Sequence, residues 1–206
     1  MAAERSGPVG GIVLAAGAST RMGRNKLFLE LEGQTLLRRV VDRALQADLD
    51  PLIVVLGHEA ARARGELTRL PCELVINPDY ARGMSNSLRS GIGRLPATAA
   101  GALVLLADMP FVTAPMLRTL VGRQRESAAP LVISQYGDVN APPILYDRCL
   151  FAELQALEGN GCGKRMIERY RSEAIVVRWP VAALTDLDAP EDYERVRQSL
   201  EAEYHA

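Results

Sequence analysis

The chain has 206 residues, 48% hydrophobic and 24% charged, which is long enough for a substantial core and too apolar for extended disorder. Its 24 basic and 25 acidic residues leave a formal net charge of -1, so there is no overall electrostatic pull toward DNA, RNA or an anionic membrane, and any anion site must be local. The sequence predicts a single domain over 1–206 with residues 1–9 as a flexible N-terminus. The charged, Gly- and Pro-containing start, with no membrane-length apolar run after it, reads as cytoplasmic.

The first apolar run is GIVLAA, Gly11 to Ala16, and it leads into LAAGASTRMGRNK, Leu14 to Lys26. This stretch is not a Walker A loop, because Gly17 is followed by five residues and then Gly23-Arg24; nor is it GxGxxG, because Ala15-Ala16-Gly17-Ala18 holds one glycine. It does supply accessible backbone N–H groups and three cations, Arg21, Arg24 and Lys26, within six residues. That combination suits a polyphosphate, although a solvated charged loop would look the same in isolation.

Leu36, Leu37, Val40, Val41, Ala44 and Leu45 then repeat at helical spacing, followed by the strand-like runs LIVVL (52–56) and ELVI (73–76). After the second comes Gly83-Met84-Ser85-Asn86-Ser87. Its last residue is not the glycine of a nucleophile elbow, and with only His58 and His205 in the chain a serine hydrolase is disfavoured. Ser85 and Asn86 could meet a nucleobase or ribose, or Ser85 could simply cap a helix.

ALVLLA, Ala102 to Ala107, runs directly into Asp108-Met109-Pro110, which places a carboxylate at a strand end. A magnesium ion bridging phosphates needs only one or two protein carboxylates, and Asp108 could be one. Leu117, Leu120 and Val121 mark another helix, and LVIS (131–134) and AIVV (174–177) two more strands, with Tyr136–Pro143 and Leu157–Lys164 reading as turns. Near the end, Asp188 with Glu191 fits a helix cap, while Asp186 and Asp188 are competing carboxylates for a second metal position. Cys72, Cys149 and Cys162 form no CxxC pair and read as thiols in a reducing compartment. The alternation of apolar runs with helical patterns predicts an α/β protein whose sheet is mostly parallel, with ligands gathered beyond the carboxyl ends of its strands.

Taken in order, LAAGASTRMGRNK, INPDYARGMSNSLRSGI, LLADMPFV and LTDLDAPEDYERV resemble the molybdopterin nucleotidyltransferases, and among them the molybdenum cofactor cytidylyltransferases, over nearly the whole chain from Gly11 to Val196. The resemblance implies a three-layer Rossmann-like fold with a mixed sheet. It implies Leu14, Ala15, Ala16 and Gly17 against the nucleotide, Arg21 and Lys26 on the triphosphate, and Ser85 and Asn86 near the base. It further implies Asp108 on Mg2+, with Asp188 as second ligand. Leu14-Ala15-Ala16-Gly17 resembles the cytidylyl form, which makes CTP the expected donor ahead of GTP or another nucleoside triphosphate.

A phosphorylated acceptor, molybdopterin in the family, would be dianionic near neutral pH and could attack the α-phosphorus without a histidine base. Two stretches depart from the family on the acceptor side, Asn140-Ala141-Pro142-Pro143 and Gly159 to Arg165, which leaves a different phosphorylated small molecule open. Other readings are a non-catalytic nucleotide-binding chaperone for a cofactor, in transient contact with the enzyme that receives it, and a small dehydrogenase.

Overall fold

The computed structural model describes residues 7–159, 162–185 and 191–197, without the side chains of Arg21 and Cys162. A seven-stranded sheet runs in the order β5-β4-β1-β6-β8-β7-β9. In chain order the strands are β1 (Val9–Ala15), β4 (Leu52–Leu56), β5 (Glu73–Ile76), β6 (Gly101–Leu106), β7 (Leu131–Tyr136), β8 (Val139–Asp147) and β9 (Ile175–Trp179). A small hairpin, β2 (Glu30–Leu31) and β3 (Gln34–Thr35), branches off after β1. All pairings in the main sheet are parallel except those of β8, which runs antiparallel to both β6 and β7. Val9, inside the segment expected to be flexible, opens β1, and the Pro8 carbonyl accepts from Ala100 N–H at 2.9 Å.

Period-two alternation along β1 divides the core in two. Val13 and Ala15 face α1 (Leu36–Leu45), α2 (Ala60–Glu66) and α4 (Ala114–Arg125). Ile12 and Leu14 face α3 (Met84–Ile92), α5 (Phe151–Ala156) and α6 (Cys162–Arg169). The result is the expected three-layer sandwich. In α1, Thr35 caps the first turn by accepting from Arg38 N–H at 3.3 Å, and Leu36, Leu37, Val40, Val41 and Ala44 turn inward. Each fully buried leucine there contributes about 1.5–3 kcal/mol of apolar burial.

The stretch Tyr136–Pro143 is not a turn, as its prolines suggest, but most of a hairpin. Gly137, at φ 59°, makes the reversal, and β8 carries Pro142 and Pro143 at a register shift next to Ser134. Side chains bond the carbonyls where the ladder is interrupted. Ser134 donates its hydroxyl to Pro143 O at 2.7 Å and Tyr136 to Pro142 O at 3.1 Å, while Ser134 Oγ accepts from Trp179 Nε1 at 3.0 Å.

Candidate functional site

Leaving β1, the chain continues to β4 on one side while β6 lies on the other, so a crevice opens between the loops that follow β1 and β6. The first loop is pinned at both ends. Ser19, at φ 50°, begins a 3-10 turn, Thr20–Met22, whose Met22 is buried. Asn25 then caps a second turn, Lys26–Phe28, accepting from Leu27 N–H at 3.2 Å, and the side chains of Leu27 and Phe28 anchor it in the core. The backbone at Lys26 is therefore held from below, and its ammonium reaches Asp108 at 2.6 Å with the two side chains 11% and 20% exposed.

Asp108 is positioned from behind. Ala107 N–H continues the β1 pairing by donating to Leu14 O at 3.1 Å. Two arginines of α1 hold the loop that follows. Arg43 donates to the carbonyls of Pro110 and Val112, the latter at 2.8 Å, and Arg39 donates to Pro110 O at 3.3 Å. Burial, then the neighbouring charge of Arg39, pulls the Arg43 guanidinium down to about 10 even though Glu32 opposes this. Glu32 itself pairs with Arg39 at 2.7 Å.

A cavity of about 540 Å³ opens over this pair, walled by Leu14 through Thr20, Lys26, Tyr80, Gly83, Met84, Ser87 and Asp108. Gly57 packs against two of these wall residues, since a Cβ there would stand 2.7 Å from both Ala16 O and Tyr80 Cβ; His58 N–H donates to the same Ala16 carbonyl at 3.1 Å. The structure thus brings together Leu14, Ala15, Ala16, Gly17, Lys26 and Asp108 from the residues expected in a site. Arg21 lies in the backbone of the turn Thr20–Met22, but its side chain is outside the described residues, as are Asp186 and Asp188.

Ser85 and Asn86 are placed differently from the sequence expectation. Gly83, not Ser85, precedes α3, at φ 116°. Ser85 is 1% exposed and donates to Gly159 O, and Asn86 donates to Asp79 O at 3.1 Å, so neither lines the cavity. The next residue, Ser87, does. Its Oγ accepts from the buried Asn77 Nδ2 at 3.0 Å, which orients the hydroxyl proton away from Asn77. Tyr80 and Ser87 are thus site residues missed in the sequence; the signal that could have found Ser87 is its period of four from Gly83.

A second cavity of about 660 Å³ shares Leu14, Met84 and Leu106 with the first. Its floor is apolar, with Val104, Ile144, Tyr146 and Ile167, and polar groups stand at its edge: Asn140 on β8 and Lys164, Glu168 and Arg171 on or just beyond α6. Both stretches that depart from the family pattern therefore contribute to this cavity.

No helix among the described residues is long and apolar enough to cross a membrane. Residues 11–174 match the family described as the MobA-like NTP transferase domain. Among curated proteins the chain is similar to the purine catabolism protein PucB of Bacillus subtilis, 31% identical over 92% of this chain and 96% of that protein. It is also similar to nicotine blue oxidoreductase of Paenarthrobacter nicotinovorans, 32% identical over 66% of each chain. Among solved structures it is similar to Rv0371c of Mycobacterium tuberculosis in complex with manganese, with 28% identity, a TM-score of 0.79 and coverage of 93% of this chain and 99% of that one.

Proposed function

We propose, starting from the fact that the chain belongs to the family of MobA-like NTP transferase domains and is a nucleotidyltransferase, that it moves CMP from CTP to a phosphorylated, molybdopterin-like acceptor with magnesium and releases pyrophosphate. The observation that carries this reading is the shared wall of the two cavities. Leu14, Met84 and Leu106 face both, so a donor lying over Lys26 and an acceptor lying over Tyr146 would meet across them. Holding two anions against each other in this way is the larger part of the catalysis required.

In this reading Lys26, together with Arg21 and the backbone around Gly17, takes the triphosphate. Tyr80 and Ser87 lie at the base end. The Ser87 proton, turned from Asn77, suits a base that offers acceptors, as cytosine does with O2 and N3. Lys164 and Arg171 are suited to the acceptor's phosphate, and the apolar floor to a flat organic body. A phosphate dianion needs no proton removed before it attacks. Among the described residues, neither cavity is lined by a histidine.

Asp108 fits a divalent ion of the magnesium type. It is a hard oxygen donor at the cavity edge, the type of ligand such an ion takes from a protein while phosphate oxygens and water would complete its shell. Such an ion would supply charge neutralisation on the phosphates. Asp188 remains the proposed second ligand. Incubating the protein with each nucleoside triphosphate, magnesium and a panel of phosphorylated acceptors, then weighing the product, tests the reading. The oxidoreductase relative motivates one control, a titration with NADH, which this reading expects to show no binding because the turn directly after β1, Ala16-Gly17-Ala18-Ser19-Thr20, holds one glycine where GxGxxG needs three.

A further inference from the structure

A third cavity, of about 460 Å³, shares Ala18, Ser19 and Thr20 with the donor cavity and is otherwise lined by Gly23, Arg24, Asn25, His58, Glu59 and Arg62. The transfer as described uses none of these side chains, although Arg24 is the third cation of the loop.

Asn25 is the informative residue. It is 8% exposed, and its Oδ1 accepts from Leu27 N–H, but its buried Nδ2 has no hydrogen-bond partner. A buried donor left unpaired is costly, and here it borders a cavity that also carries two guanidinium groups. Both guanidiniums stack on rings, Arg62 over Phe28 at 3.9 Å and Arg24 over Tyr193 at 5.9 Å. Stacking uses their faces and leaves edge N–H groups for an anion, the geometry in which arginine binds phosphate. The one carboxylate of the lining, Glu59, pairs with Arg62 at 3.6 Å and stands 3.8 Å from His58, which offsets part of the positive charge but is too long to occupy the guanidinium N–H groups as hydrogen bonds.

We propose that this cavity is an anion subsite that receives inorganic pyrophosphate, a proposal that rests on the transfer reading above. In the transfer, an acceptor phosphate oxygen forms a bond to the α-phosphorus. The bond from that phosphorus to its bridging oxygen breaks, and the electron pair leaves with pyrophosphate. Ala18, Ser19 and Thr20 line both cavities, so the two adjoin along this short segment, and the leaving anion would pass over it to reach Arg24, Arg62 and Asn25.

Calorimetric titration of the full chain with inorganic pyrophosphate tests this without turnover. Arg62→Met keeps a side chain over Phe28 and removes the charge, and is expected to weaken binding about tenfold. Asn25→Asp keeps an oxygen for Leu27 N–H but replaces the spare donor with negative charge, and should weaken binding at least as much. Thermal unfolding of both variants confirms that they fold. Wild-type affinity in both variants, or no binding to the wild-type protein, would overturn the proposal. If pyrophosphate binds as expected but no nucleoside triphosphate supports transfer to any acceptor, the transfer reading falls and the anion site stands.

Discussion

Lys26 and Asp108, 82 positions apart in sequence, meet at 2.6 Å beneath the cavity of about 540 Å³, one at the start of a short turn and the other just past the end of β6. Each is the other's counter-ion, and the pairing fixes a cation where a polyphosphate would lie. Lys26→Met removes that cation while retaining the stem that fills the turn. Steady-state kinetics should show kcat/KM for the nucleoside triphosphate falling by about 100-fold or more, with the acceptor's KM little changed. A loss confined to the acceptor's KM would place Lys26 on the wrong substrate.

Arg43 acts on Asp108 at one remove, through the carbonyls of Pro110 and Val112. Arg43→Met leaves both carbonyls without this donor and should cost about 2 kcal/mol in chemical denaturation. It should also raise the metal concentration needed for half-maximal turnover, with the KM of the acceptor unaltered. Arg43→Lys, able to reach one carbonyl, should recover part of both effects. A purely structural role would lower stability and leave the metal dependence where it was.

The first turns of α3 separate two readings of one helix. Ser87→Ala removes the hydroxyl that lines the cavity and leaves Asn77 without its acceptor, whereas Asn86→Ala removes a side chain that only bonds Asp79 O. Discrimination between CTP and UTP should therefore fall by about tenfold in Ser87→Ala and by less than about twofold in Asn86→Ala. The reverse order would restore Asn86 to the site and displace Ser87.

These residues mark what the sequence could and could not carry. LIVVL and ELVI are strands over the residues expected, because short apolar runs between helical patterns have few other uses. That Gly17, Lys26 and Asp108 would come together was legible because the first two lie in one short stretch after a strand and Asp108 directly follows another. β8 was hidden by Pro142 and Pro143, which read as a break until Ser134 and Tyr136 are seen bonding their carbonyls. Ser87, Tyr80 and Arg43 were hidden for a different reason. Each gains its role from a partner that only the tertiary fold supplies, Asn77 for Ser87, Gly57 for Tyr80 and the Asp108 loop for Arg43.

Gly57 offers a test of how tightly that fold is drawn around the cavity over Lys26 and Asp108. Its missing side chain lets β4 end against Ala16 and Tyr80, and a Cβ would stand 2.7 Å from a backbone oxygen that cannot swing aside. Gly57→Ala should cost about 1–3 kcal/mol of stability and weaken nucleoside triphosphate binding. Binding of wild-type strength would mean that the contacts of Gly57 with Ala16 and Tyr80 yield without disturbing nucleotide binding.

The account stands on transfer of a nucleotide through a site built on Asp108, and one measurement addresses it directly. Wild-type protein and Asp108→Asn are each incubated with CTP, magnesium and the acceptor panel, and products are followed by mass spectrometry with pyrophosphate release. The account predicts a conjugate heavier than its acceptor by one cytidylyl group, one pyrophosphate per conjugate, and loss of turnover by at least about 100-fold in Asp108→Asn, with its unfolding temperature little changed. Near wild-type turnover in Asp108→Asn, or no conjugate from CTP or any other nucleoside triphosphate, would contradict it.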